Sequence, residues 1–231
     1  MRSSVLVILE LEDGAVEQIG GKAAGLAQLV SLGLPVPPAV VLPVGAELTD
    51  ASQVVARLGE PLAVRSSAVG EDAAGRSAAG QYETVLDVDL AGLPDAVRRV
   101  RASAANERAQ AYGAGGDVAV VIQRQVRATR AGVAFSRDPV TGEDELVIEC
   151  ALGGGEAIVS GLVTPDRYSF DGERVRARAA GAVRVLRDDE VRTMADVVRQ
   201  AEAGFGVPVD VEFCFDHREL WLVQCRPITT L

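Results

Sequence analysis

The chain carries a single histidine, His217, and its three cysteines, Cys150, Cys214 and Cys225, form no C-x-x-C pair. Zinc needs several such ligands at close spacing, so a zinc site is disfavoured. An odd number of cysteines, each inside an apolar segment, reads most simply as buried thiols of a reduced cytoplasm. Cations are also scarce: Lys plus Arg is 23 against Asp plus Glu 33, a formal net charge of −10. Such a surface repels phosphate backbones and anionic lipid, which argues against nucleic-acid and membrane partners. Any anionic ligand must then be held by a local cationic cluster. No apolar run is long enough for a transmembrane span. The opening Val5 to Leu9 is stopped by Glu10, Glu12 and Asp13 and lacks a basic flank, so it reads as a strand, not a signal peptide. Low-complexity linkers and internal repeats are absent too.

What is present suffices for a core. With 231 residues, 48% of them hydrophobic, the chain can fill one large domain or two small lobes. Apolar periodicity predicts helices opening at Gly20-Gly21-Lys22, over Ala51 to Leu58, over Leu93 to Tyr112 and over Asp188 to Ala203, the last with Val191, Met194, Val197 and Val198 inward. Strands are predicted at Val5 to Leu11, Ala39 to Val44, Pro61 to Arg65, Glu83 to Val88, Val118 to Val126, Gly132 to Ser136 and Glu145 to Cys150. Thr164 to Asp171 reads as loop and strand, and Gly70 to Gly80 as a Gly- and Ala-rich loop. The mixture lacks a strict βαβ repeat and predicts an α+β fold. Approximate lobes are 1–117 and 118–231.

The chain closes in a predicted hairpin, Val209 to Phe215 with Leu220 to Ile228. Period-two alternation sets Val209, Val211, Phe213 and Phe215 on one face and Asp210, Glu212 and Cys214 on the other. On the partner strand it predicts Trp221, Val223 and Cys225 as the apolar face, with Trp221 in the core, and Leu220, Leu222, Gln224 and Arg226 opposite. Glu212, Gln224 and Arg226 then converge on one half-polar side, and Cys214 and Cys225 lie on opposite faces. An acid, an amide and a guanidinium together are costly to bury without purpose.

Taken singly, each polar candidate also has an ordinary reading. Lys22 at a helix start aims a cation and N–H groups at a phosphate, or is simply solvated. Arg65, after an apolar strand, is a phosphate clamp or a surface ion pair. The loop around Arg76 to Gln81 permits close backbone approach, as any surface loop would. Glu212 and Gln224 offer oxygen ligands suited to Mg²⁺, or form a satisfied cross-strand pair. His217 falls in the hairpin turn.

Six ordered segments make the set specific: GGKAAGLAQLVSLGLPVPPAVVL, AVRSSAVGEDAAGRSAAGQYETVLDV, VAVVIQRQV, GVAFSRDPVTG, GGGEAIVSGLVTPDRYSFD and DVEFCFDHRELWLVQCRPIT. Together they resemble the nucleotide-binding domain of the phosphoenolpyruvate synthase, pyruvate phosphate dikinase and rifampin phosphotransferase family, from about Gly20 to Thr229. The resemblance implies an ATP-grasp fold whose two α+β lobes clamp Mg-ATP. It implies that Lys22 and Arg65 contact phosphates, that Gly80 and Thr84 belong to a phosphate-covering loop, and that Gln123 sits near the adenine. Glu212 and Gln224 would hold Mg²⁺, Arg226 would face the transferring phosphoryl, and Glu149 and Glu156 would lie at the nucleotide or metal. Lys22, Arg65 and Arg226 would be the catalytic cations.

The sequence departs from the family pattern in places. Ala23 and Gly25 stand for the usual Gly and Asn, Ala78 for a common Phe and Gly154 for a Leu; only about 40 residues separate Lys22 from Arg65, where relatives carry a longer insertion. His217 matches no phosphohistidine motif. The resemblance therefore implies a histidine carrier on a separate chain or a further domain, with a small-molecule acceptor beyond it. A direct small-molecule kinase and a non-catalytic nucleotide-binding module are the alternatives.

Overall fold

Two antiparallel sheets organise the chain, in a computed structural model that describes residues 6–7, 16–68, 84–112, 118–154, 163–217 and 219–228. Gly80 and Glu156 lie outside the described residues, as do the whole predicted loop Gly70 to Gly80 with Ala78 and most of the predicted first strand. The chain divides into two compact units, Met1–Ala27 with Pro37–Gln125, and Gln28–Val36 with Val126–Leu231.

The first unit contains β1 (Leu6–Val7), most of α1 (Val16–Ser31), β2 (Ala39–Leu42), α2 (Ala51–Leu58), β3 (Leu62–Ser67), β4 (Thr84–Val88), α3 (Leu93–Tyr112) and β5 (Ala119–Arg124). Its sheet runs β1-β2-β5-β3-β4. The apolar run that opens β5 suits a central strand, and β3, though it ends in Arg65, Ser66 and Ser67, is buried everywhere but at Arg65, as a strand covered on both faces must be. On one face Val40, Leu42, Leu62, Val64, Val120 and Ile122 pack with Val54 and Leu58 of α2 and with Leu93, Val97 and Val100 of α3. The start of α2 is fixed by Asp50, whose carboxylate accepts from Gln53 N–H at 3.0 Å.

The second unit holds β6 (Arg130–Phe135), β7 (Leu146–Leu152), β8 (Asp166–Phe170), β9 (Val175–Arg178), α4 (Asp188–Phe205), β10 (Val209–Phe215) and β11 (Leu220–Pro227), with sheet order β11-β10-β6-β7-β8-β9. Helix α4 opens with Asp188, Asp189 and Glu190, favourable charges at a helix N-terminus, and ends at the left-handed Gly206. It buries Val191, Met194, Ala195, Val198 and Ala201. Val197, predicted to point inward, is only half-buried, and Ala195 is buried beside Met194. Ile148, Tyr168, Val211 and Phe213, which share one sheet face, are fully buried. Arg192 of α4 lies over the Phe170 ring on this face, 5.1 Å from its centroid, so this is the face that the helix covers.

Asp166 fastens the strap between β9 and α4 to that buried face. Its carboxylate accepts from the N–H groups of Ala180 at 2.7 Å and Val185 at 2.8 Å, and from the Tyr168 hydroxyl at 2.8 Å. Leu186 N–H donates in turn to the Tyr168 oxygen at 2.9 Å. Burial works against ionisation of Asp166, but the donors outweigh it and its pKa lies below the ordinary carboxylate value. Burial pushes the thiol of Cys150 on the same face up to about 12. All three cysteines are buried thiols outside any disulfide.

Candidate functional site

In the first unit the site begins with a break in α1. Gly20 has φ 75° and ψ 172°, and a Cβ there would lie 2.2 Å from the Ser67 carbonyl oxygen. Only glycine fits this close approach. Beyond it the chain is stitched to the end of β3: Gly21 N–H donates to Ala68 O at 3.0 Å, and Ala23 N–H to Ser67 Oγ at 3.1 Å. Ser67 thus caps the restarted helix from another element, and Lys22 is carried between the two anchored residues, half-buried.

Arg65 lies two residues before Ser67 on β3, opposite Thr84 on β4 and Val121 on β5, while Ala63 faces Gln123. Alternation puts Arg65, Ser67, Val121 and Gln123 on the sheet face away from the α2–α3 core. Gln123 is buried and donates through Nε2 to Pro37 O at 3.4 Å; Thr84 is exposed. The first unit therefore brings Lys22, Arg65, Thr84 and Gln123 to one side of one sheet.

In the second unit the face not covered by α4 is partly open. Across it the register reads Gln224, Glu212, Val133, Glu149 and Arg167, one residue from each of β11, β10, β6, β7 and β8. Glu212 sits directly opposite Gln224. Asp210 sits opposite Arg226 and binds it, Oδ2 lying 3.0 Å from Nε and 2.9 Å from Nη2. The face thus gathers two acids and an amide as oxygen donors, and a guanidinium fixed by a third acid. Arg167 donates from Nη1 to Glu149 at 2.9 Å and from Nη2 to Asp138 at 3.1 Å.

The hairpin carries one correction. A β-bulge at Val223 shifts the register, so Phe213 faces Leu222 and Cys214 faces Trp221. Leu222, predicted on the polar side, is fully buried with Phe213. Trp221, predicted in the core, is half-buried on the Glu212 face and donates from Nε1 to Asp216 at 3.2 Å. Cys214 and Cys225 remain on opposite faces. His217 is exposed in the turn.

No group of three or more His, Cys, Asp or Glu residues suited to a metal occurs among the described residues. Mg²⁺ seldom needs one, since it keeps waters and binds through one or two protein oxygens beside substrate phosphates. Glu212 and Gln224 are a donor pair of that kind. Sequence reasoning missed Asp210 as a site residue, although its place two residues before Glu212 on the polar face was visible in the alternation. It also missed Arg167, whose neighbour Glu149 is set by the β7–β8 pairing, which no local pattern announces.

Comparison with known proteins supplies the family and the fold. The family model for the pyruvate phosphate dikinase AMP/ATP-binding domain matches residues 43–184 and 173–231. The prodigiosin synthesizing transferase PigC of Serratia marcescens is 34% identical over 92% of this chain and 32% of its own length. A rifampicin phosphotransferase of a Streptomyces species is 36% identical over 96% of this chain and 29% of its own. A probable phosphoenolpyruvate synthase of Archaeoglobus fulgidus is 36% identical over 74% and 27%. The chain thus spans about a third or less of the length of these relatives. Among solved structures, the ADP complex of the N5-carboxyaminoimidazole ribonucleotide synthetase purK superposes with TM-score 0.56 at 11% identity, covering 91% of this chain and 45% of that one. The ATP complex of D-alanine–D-alanine ligase from Bacillus anthracis gives TM-score 0.52 at 12% identity, covering 90% and 54%. At such identity the likeness is one of fold, and the fold is ATP-grasp. No described helix is long and apolar enough to cross a membrane. By its sequence match the chain belongs to the family of the pyruvate phosphate dikinase AMP/ATP-binding domain.

Proposed function

We propose that this chain is the ATP-using component of a phosphotransferase, passing the β-phosphoryl of Mg-ATP to a histidine carrier while water takes up the γ-phosphoryl, so that AMP and phosphate are released. The observation that carries the reading is the half-open face on which Glu212 meets Gln224 and Arg226 is held by Asp210. Family membership supports ATP as the nucleotide, and the relatives named as phosphotransferases support the reaction class.

In this reading the first unit contributes Lys22 and Arg65 as phosphate-binding cations, with Gly80 and Thr84 covering the phosphates and Gln123 near the adenine. In the second, Arg226 meets the transferring phosphoryl group. Its guanidinium is held by Asp210, so it approaches a phosphoryl oxygen already oriented, and little freedom is lost on binding. Glu212 and Gln224 would hold Mg²⁺, which supplies charge neutralisation on phosphate oxygens. Glu149 and Glu156 complete the nucleotide or metal contacts. The work of the chain is positioning and charge neutralisation, as phosphoryl transfer requires.

His217 is not the carrier in this reading. It lies in an exposed turn beyond the end of β10, away from the Glu212 row. The carrier is a separate polypeptide or a further domain, and a small molecule is the final acceptor. Three buried thiols outside any disulfide suit a reducing cytoplasm. Phosphorus NMR of the products from Mg-ATP tests the reaction. AMP with phosphate, and acid-labile phosphate appearing only with a carrier, is the expected result. ADP as sole product would indicate direct kinase chemistry, and phosphohistidine at His217 would make the chain self-contained.

A further inference from the structure

Arg167 has no place in the reading above, yet its guanidinium ends the row that begins with Gln224 and Glu212. One nitrogen donates to Glu149 Oε1 at 2.9 Å and another to Asp138 Oδ2 at 3.1 Å. Asp138 is itself immobilised. Its Oδ1 accepts from Val140 N–H at 2.8 Å and Thr141 N–H at 3.1 Å, closing the turn between β6 and β7. These donors, with the Val140 N–H foremost, hold the Asp138 carboxyl below the ordinary range despite its burial. Its side chain is 12% exposed, whereas those of Arg167 and Glu149 are 39% and 34% exposed.

The contacts run from the turn to Asp138, from Asp138 to Arg167 and from Arg167 to Glu149. Glu149 stands two strands from Glu212, roughly 10 Å at ordinary strand spacing, with the small side chain of Val133 between them. Its second oxygen, Oε2, accepts no hydrogen bond among the described residues. We propose that Arg167 is a positioning residue for nucleotide binding: anchored by Asp138, its fork engages one oxygen of Glu149 and presents the other to a ligand on this face. An isolated, half-exposed cross-strand ion pair contributes little to stability. A guanidinium bridging two carboxylates through different nitrogens instead fixes geometry, for which the planar fork is suited and an ammonium is not.

The inference rests on the Mg-ATP reading, and a double-mutant cycle separates the two. Mg-ATP is titrated calorimetrically into the full chain and into Arg167→Met, Glu149→Gln and the double variant, each with its melting temperature recorded. Arg167→Lys serves should the Met variant melt early, and it too is expected to bind weakly. Each single change is expected to weaken binding about tenfold, with the double variant within about a factor of two of Glu149→Gln alone. A purely structural arginine would instead give multiplying losses, and that result overturns the proposal. So does wild-type affinity in either single variant. A wild-type chain that takes up no Mg-ATP refutes the nucleotide reading itself and removes the ligand on which this inference depends.

Discussion

Replacing Asp166 by Asn should destabilise the second unit while leaving its shape unchanged. The carboxylate accepts two backbone N–H groups on different oxygens, Ala180 at 2.7 Å and Val185 at 2.8 Å, and the Tyr168 hydroxyl at 2.8 Å. An amide has one acceptor oxygen, so its NH₂ must oppose one of these N–H groups. A hydrogen bond to a charged partner is worth about 1.5–3 kcal/mol, which sets the expected loss for Asn at about 2–3 kcal/mol. Asp166→Ala, which strands all the donors, should cost about 3–5 kcal/mol. The pH dependence has a definite sign. Because the folded-state pKa is lowered, the stabilisation is fully present above the unfolded value of about 3.9 and is lost as pH falls through the folded value. The gap between wild type and the Asn variant should therefore narrow in acid. Urea unfolding followed by fluorescence reads this directly, since Trp221 is the chain's one tryptophan and belongs to the same unit. An Asn variant as stable as wild type at pH 7, or a gap that stays constant into acid, would refute the reasoning.

Glu212→Ala and Gln224→Ala should leave the melting temperature within a few degrees of wild type, because both positions lie on the face opposite the Phe213 and Leu222 core, yet each should weaken Mg-ATP binding at limiting Mg²⁺. Early melting of either variant, or unchanged binding, would count against the ligand assignment. Gly132→Ala places a Cβ 2.3 Å from Glu149 O and 2.6 Å from Cys150 Cβ, so the β6–β7 pair must separate locally. A loss of about 1–3 kcal/mol is expected in urea unfolding, and a neutral result would show that the strands are not held this closely.

Most elements were legible in the sequence because local pattern and tertiary role agree in them. Helix α2 is bracketed by Asp50 and Gly59, and α3 and α4 repeat apolar residues at helical spacing, so their spans were visible. Strand β9 was not, since it is a short sheet-edge strand, exposed after Val175 and carrying Arg176 and Arg178, with no buried alternation to mark it. The half-polar face of the last hairpin was readable up to Val223. The bulge there depends on which residues Phe213 and Cys214 meet across the sheet, and that reversed the reading of Leu222 and Trp221. The Gly-Gly-Lys start of α1 suggested phosphate binding. That Gly20 is also required by the Ser67 carbonyl needed the packing of two elements distant in sequence. Likewise Arg167 gains its role from Asp138 and Glu149, residues on two other segments.

The claim that Mg-ATP is the ligand of this chain is tested most directly by titrating it, with and without Mg²⁺, into the wild-type protein while following heat and melting temperature. Binding to the folded state alone stabilises by mass action, about 2.7 kcal/mol at a hundredfold excess over Kd. The expected result is a saturable one-to-one heat and a raised melting temperature, both reduced when Mg²⁺ is withheld. A flat titration with an unmoved melting curve at millimolar Mg-ATP would contradict it.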